Sequence, residues 1–315
     1  MTRSISERQR ILEALDMLLN AWSTRNSNEL RQLFTSDAAF TSSAHGEALG
    51  GAGVAEQLID ATLQRANLRL NSTNHYVTGH DAKACASAYI YGQFVPPRGG
   101  PSSLTFGATV VLELELLEGE WRISTLRLNV NWLEGDAKIV TGWRQPIGNR
   151  EWKIGDPVPV VVSELDSPWL QFPQRSIVGT VKEQIAEVYA RYAWGLDLAD
   201  FGHLKQCYMD DAAGNFAPIG ILKGLRSIVS HLKEFRRPWP WMQHFGVPLR
   251  IEADEENGTA TMTVGRVIPQ RAAKVDGEPL YGAHYVMKLR RVDDQWKLTW
   301  SEYNPGWITF PDGQR

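Results

Sequence analysis

The feature that most constrains this chain is that it contains itself twice. Leu30-Arg31-Gln32-Leu33-Phe34-Thr35-Ser36-Asp37-Ala38-Ala39 returns about 175 residues later as Leu204-Lys205-Gln206-Cys207-Tyr208-Met209-Asp210-Asp211-Ala212-Ala213. Gly51 and Gly224 each head a second helical stretch, and Gly107 to Leu114 matches Gly282 to Leu289. Glu120-Trp121-Arg122-Ile123 and Gln295-Trp296-Lys297-Leu298 follow at equal distance, and Trp132 and Trp307 close the copies in register. Repetition at a fixed offset marks one structural unit used twice. A chain of 315 residues is long enough for each unit to bury its own core.

Within each copy the hydrophobic period changes once. Ile11, Leu12, Leu15, Leu18, Leu19 and Trp22 recur at helical spacing, as do Ile185, Val188, Tyr189, Tyr192 and Leu196, so both copies open with a long amphipathic helix. Shorter helices are predicted from about Val54 to Leu68 and from about Leu225 to Phe235. The period then falls to two. Thr259, Thr261 and Thr263 alternate with Ala260, Met262 and Val264, and His284–Arg291 with Gln295–Tyr303 reads as a hairpin turning at Asp293-Asp294. Helices followed by three or four antiparallel strands make an α+β plan, used twice in tandem. The predicted layout is a first domain over 1–135, an extended connector over 136–176 and a second domain over 177–315. The connector region holds Pro146, Pro157, Pro159, Pro168 and Pro173 together with Trp143, Trp152 and Trp169, so it is expected to lie against a domain or across a pocket mouth rather than to hang free.

Composition removes several classes of function. Net charge is −3, with no basic run denser than Arg236-Arg237 or Arg290-Arg291, so nucleic acid is not an expected partner. No apolar run approaches membrane length, and the polar amino terminus has no hydrophobic stretch behind it, so a cytoplasmic protein is expected. Cys85 and Cys207 stand alone and read as small buried hydrophobes. His231, His244 and His284 are far apart without a cysteine or carboxylate cluster, so no metal is predicted. Gly-rich phosphate loops and a Gly-x-Ser-x-Gly elbow are missing, so no cofactor is implied. His45, His80 and His203 are read as solvent-facing.

Four stretches of the second copy carry a resemblance: Leu196-Asp197-Leu198-Ala199-Asp200-Phe201, Met242-Gln243-His244-Phe245, Val267-Ile268-Pro269-Gln270-Arg271 and Gln295-Trp296-Lys297-Leu298. Over nearly its whole length this copy resembles scytalone dehydratase and the SnoaL-like family, within the superfamily of ketosteroid isomerase and nuclear transport factor proteins. The resemblance implies a cone-shaped domain, a curved antiparallel or mixed sheet wrapped around a helical layer, enclosing one apolar pocket. It also implies that His244 is a catalytic histidine and Asp197 the helix carboxylate that orients it. A carboxylate accepting the Nδ1 proton fixes the tautomer and leaves Nε2 as the base.

Departures from the family bear on the substrate. Leu196 and Phe216 stand where the family has two tyrosines, Gln270 where it has a second histidine, and Ala283 and Tyr285 where it has a pocket serine and asparagine. Tyr189, Tyr192, Gln270, Tyr285, Tyr303 and Asn304 are candidates to supply the missing hydrogen bonds, with Phe216 as a pocket wall. In the first copy His75 takes the place of His244, but Ser23 takes that of Asp197 and Pro97 that of Gln270. This degenerate pair predicts a non-catalytic partner domain. The expected activity is a cofactor-independent lyase of dehydratase type acting on a small or medium carbonyl-bearing ring compound. An isomerase or polyketide cyclase would begin with the same proton abstraction, and a non-catalytic protein binding a hydrophobic ligand is the reading from a different class. The two copies are expected to mimic a dimer within one chain, with homo-oligomers left open.

Overall fold

A computed structural model describes residues 5–59, 66–95, 103–147, 153–238, 242–267 and 283–305. Pro97, Trp152, Trp239 to Trp241, the stretch Ile268 to Arg271 with Gln270, and Trp307 lie outside the described residues. The chain divides into two compact units, Met1–Val178 and Gly179–Arg315.

The first unit opens with α1 (Glu7–Thr24), α2 (Ser27–Leu33), β1 (Phe34–Ser42), β2 (Gly46–Leu49) and α3 (Gly50–Leu58). The long strands β3 (Asn67–His80), β4 (Lys83–Val95), β5 (Leu104–Leu117) and β6 (Glu120–Gly135) follow. Ser6 caps α1 by accepting the Gln9 N–H, and the helix buries Ile11, Leu15, Leu18, Leu19 and Trp22 on one face. The strands form a six-stranded open sheet in the order β2-β1-β6-β5-β4-β3.

The second unit repeats this plan. After α6 (Val181–Asp197) and α7 (Phe201–Gln206) come β7 (Tyr208–Phe216), β8 (Gly220–Lys223), α8 (Leu225–Arg236), β9 (Phe245–Asp254), β10 (Thr259–Val267), β11 (Ala283–Val292) and β12 (Gln295–Pro305). Thr180 and Glu183 form a reciprocal capping box that starts α6. The sheet order is β8-β7-β12-β11-β10-β9, the same path as in the first unit. Two tandem α+β domains are therefore present, and neither sheet closes into a barrel.

The sheets are larger than the predicted three or four antiparallel strands. The nine-residue strands β1 and β7 come soon after a helix and pair parallel with the last strand, Phe40 beside Leu126 and Phe216 beside Tyr303. Their burial alternates only in part, so no clean period announces them. The hairpin turn at Asp293-Asp294 is as expected, with φ of 48° and 58°, a left-handed pair that suits the twist of β11 and β12.

The connector lies on the first unit and contains the short helices α4 (Ser163–Asp166) and α5 (Pro168–Gln171). Trp143 packs among His45, Phe94 and Phe106 at centroid distances of 4.6, 5.6 and 5.2 Å. Trp169 meets the Tyr76 ring edge-on at 5.5 Å, and Asp166 pairs with Arg127 at 3.2 Å. The backbone N–H groups of Ser176 and Ile177 both donate to the Gly79 carbonyl. These rings bury large apolar areas, which fixes an aperiodic segment without a ladder of its own.

Two histidines are placed otherwise than their sequence context suggests. His45 is buried between Trp22, Phe40 and Trp143, with Nδ1 3.0 Å from Ser42 Oγ. His203 is buried at the α6–α7 crossing, where Arg191 Nε approaches its Nε2 at 3.4 Å, and burial lowers its pKa to about 2. Tertiary packing, which no local pattern reveals, encloses both rings. His80 keeps a partly exposed side chain. Among the described residues no helix is long and apolar enough to cross a membrane.

Candidate functional site

The site is built where the end of α6 meets the start of β9. Asp197 is the last residue of α6, and four residues around it hold it there. Ala199 turns the chain with φ of 61°, and Asp200 restarts it by capping α7 through the His203 N–H at 2.9 Å. Gly195 allows α7 to cross closely, since a Cβ there would stand 3.0 Å from Leu204. The Arg236 guanidinium, at the end of α8, donates to the Asp197 backbone carbonyl at 3.1 and 2.7 Å. A cation on a helix C-terminal carbonyl is favourable both as a hydrogen bond and against the helix dipole.

His244 directly precedes β9. Its Nδ1 lies 2.5 Å from Asp197 Oδ1, and its backbone N–H donates to Asp197 Oδ2 at 2.6 Å. The carboxylate thus grips both the ring and the main chain of one residue. The pair is deeply enclosed, with 4% of Asp197 and 2% of His244 exposed. Because a carboxylate oxygen only accepts, Nδ1 carries the proton and Nε2 is the basic nitrogen. Burial lowers the His244 pKa below 6.5, and the positive charge of Arg266 lowers it further, while Asp197 works in the opposite direction. The ring is therefore a neutral base at pH 7.

Tyrosines surround this pair. Tyr192 meets the His244 ring at 6.2 Å, and Tyr285 lies 5.7 Å from Tyr189, 5.9 Å from Tyr192 and 5.2 Å from Tyr303. Tyr189 and Tyr192 come from α6, Tyr285 from β11 and Tyr303 from β12. Tyr285 and Tyr303 are cross-strand partners and share the inner face, as does Phe216, the parallel partner of Tyr303. Burial pushes the Tyr189 and Tyr192 hydroxyls well above their usual pKa, and lifts Tyr285 to about 12, so all three remain proton donors.

Asn304 does not join this group. It pairs with His284 across the ladder, one residue out of phase with Tyr285 and Tyr303, and a one-residue step in a strand reverses the face. Gln270 lies outside the described residues. Arg266, which sequence reasoning passed over, sits on the inner face of β10 with its guanidinium carbon 5.9 Å from the Tyr303 ring centroid. The signal was present, because Ala260, Met262 and Val264 are the buried phase of β10 and Arg266 continues it.

The first unit has no such assembly among the described residues. Ser23 Oγ donates to the Asn20 carbonyl of its own helix at 2.9 Å, and His75 Nε2 lies 2.9 Å from Ser72 Oγ. No hydrogen bond joins Ser23 to His75 among the described residues. At the positions of Tyr189, Tyr192, Tyr285 and Tyr303 the repeat has Leu15, Leu18, Val110 and Leu128, all buried in the core.

Several solved structures are similar to one half of this chain. An aromatic ring hydroxylase of Novosphingobium aromaticivorans, so assigned only provisionally, is 22% identical over 43% of this chain and 96% of its own, with a TM-score of 0.38. The hexachlorocyclohexane dehydrochlorinase LinA-type3 from Novosphingobium barchaimii is 20% identical over 41% of this chain and 90% of its own, with a TM-score of 0.37. A provisionally assigned scytalone dehydratase of Novosphingobium aromaticivorans is 14% identical over 46% and 95%, with a TM-score of 0.39. No curated protein matches the chain. The profile of the SnoaL-like domain matches twice, over residues 3–127 and 180–300, and the chain belongs to that family through both of its halves.

Proposed function

We propose that the second unit is a cofactor-independent lyase of dehydratase type, with His244 as the base and Asp197 as its orienting partner. The observation that carries this reading is the buried two-point contact, at 2.5 and 2.6 Å, by which one carboxylate fixes both the ring and the backbone of His244. A neutral imidazole held in one tautomer is suited to remove an acidic proton beside a carbonyl. Nε2 takes the proton from carbon, and the carbon–hydrogen pair moves into the enolate. The enolate then re-forms the carbonyl and a carbon–carbon double bond forms as the β-hydroxyl leaves. The imidazolium returns its proton to that hydroxyl, so water is the product and His244 is neutral again. Asp197 keeps its contact with Nδ1 throughout, stabilising the transient imidazolium.

The ring surfaces of Tyr189, Tyr192, Phe216, Tyr285 and Tyr303 favour a small or medium ring compound. An isomerase or polyketide cyclase would share the first step and differ in where the enolate electrons go. The first unit, with Ser23 and His75 not bonded to each other, acts as a partner domain without turnover.

The test is a panel of cyclic β-hydroxy ketones followed by the ultraviolet absorbance of the conjugated product, with binding measured separately by calorimetry. The wild-type chain is expected to turn over at least one member. His244→Ala and Asp197→Asn are expected to bind it and fail to convert it. Binding by the wild type without elimination or exchange of the α-proton would overturn the enzyme reading in favour of a ligand-binding module.

A further inference from the structure

Beside the Asp197–His244 pair lie two hydrogen-bond donors with no acceptor among the described residues. The Nε of Arg266 and the hydroxyl of Tyr189 are both buried without a hydrogen-bond partner among the described residues. Each such group loses its hydration on folding with no return, a cost large enough that native structures rarely tolerate it without a reason. Here two occur together, one from β10 and one from α6.

The sheet is shaped to hold them. Arg266 is flanked across the ladder by Gly246 on β9 and Ala283 on β11, so neither neighbour fills the space over which its side chain extends. At Gly246 a Cβ would stand 2.1 Å from the Tyr189 ring and 2.7 Å from its hydroxyl oxygen. Glycine is thus required for Tyr189 to reach this place. Asp197, the nearby carboxylate, has both oxygens engaged by His244, so it does not neutralise Arg266 by direct pairing. A guanidinium whose Nε is buried, and which makes no ion pair among the described residues, is a costly arrangement unless a ligand supplies the counter-charge.

We propose that Arg266 and the Tyr189 hydroxyl form a receptor for a negatively charged oxygen, so that the substrate carries a carboxylate or phenolate on the ring that faces His244. Turnover of the bound anion rests on the proposed dyad, whereas its recognition stands on Arg266 and Tyr189 alone. The arrangement places donors on one side of the substrate and the base on another. Charge that moves onto oxygen as His244 removes a proton is then met by dipoles already in position.

The test compares benzoate with benzamide, which match in shape and differ in charge, by calorimetric titration of the full chain. Wild type is expected to bind benzoate about 10- to 100-fold more tightly, the scale of a charge-assisted hydrogen bond in a desolvated site. Arg266→Met should abolish the preference, and its midpoint of thermal unfolding without ligand should hold or rise, since a buried donor with no acceptor among the described residues is gone. Arg266→Lys, which keeps the charge without the planar fork, should keep part of the preference. His244→Ala should keep the full preference while turnover is lost, which separates this proposal from the dyad. Equal binding of the two probes by wild type, no binding of either at millimolar concentration, or an undiminished preference in Arg266→Met would each overturn it.

Discussion

Replacing Asp197 by asparagine perturbs the site in a way that its geometry makes specific. Two donors converge on the carboxylate: the His244 backbone N–H at 2.6 Å, and Nδ1 at 2.5 Å. An asparagine offers one acceptor and one donor in the same space. The backbone N–H cannot accept, so the amide oxygen must turn toward it and the NH2 group toward Nδ1. Nδ1 then becomes the acceptor, the ring proton moves to Nε2, and the base is blocked. Stability should suffer only modestly. Two charge-assisted hydrogen bonds become neutral ones, at about 1 kcal/mol each, or about 2 kcal/mol in all. For a unit of this size that lowers the midpoint of its thermal transition by about 8 °C. Turnover should fall about a thousandfold or more because the tautomer is wrong, with KM nearly unchanged. Circular dichroism melts and steady-state kinetics on the same preparation read both quantities. An Asp197→Asn enzyme that retains turnover within about tenfold of wild type would refute the tautomer reasoning.

Three further outcomes are expected from the same structure. The rate should fall on the acid side as His244 takes a proton, and because burial and Arg266 hold its pKa below 6.5, kcat/KM should reach half its plateau only at a pH below 6.5; in Arg266→Met the limb should move to higher pH, and an unmoved limb contradicts that electrostatic cause. The same neutral histidine bears on stability, for an unfolded ring protonates near 6.5 while folded His244 and His203, the latter at about 2, do not. Unfolding free energy should therefore be fully retained above pH 6.5 and decline below it by up to about 1.4 kcal/mol per pH unit for each ring, measurable by urea titration at several pH values. Trp143→Ala removes a ring packed against His45, Phe94 and Phe106 and should cost the first unit about 3–5 kcal/mol in chemical denaturation; a loss under about 1 kcal/mol would mean that the connector is not part of that core.

Much of this organisation was legible in the sequence for identifiable reasons. The repeat is visible because long helices and long strands impose their periods over many residues, and because the Asp293-Asp294 turn sits between two such strands. The Asp197–His244 pair could be read only through resemblance, since 47 positions separate two side chains that fold into contact. What escaped depends on tertiary placement. The strands β1 and β7 alternate only in part and gain their partner from the far end of the unit. Trp143 reaches the first core from a segment with no period. His45 and His203 look like surface residues until aromatic rings and a helix crossing close over them. Arg266 was passed over because a single basic residue near a strand end reads as solvent-facing, although the phase of Met262 and Val264 already put it inside. Asn304 erred in the opposite direction, one residue away from the inner face occupied by Tyr303.

Catalysis by this pair requires the His244 proton to reside on Nδ1, and long-range nitrogen–proton correlation spectra of the histidine-labelled chain at pH 7 report its position directly. His244 should appear as a neutral ring protonated at Nδ1, with that proton shifted strongly downfield by Asp197 and the shift lost in Asp197→Asn. A ring protonated at Nε2, or a charged imidazolium at that pH, would contradict it.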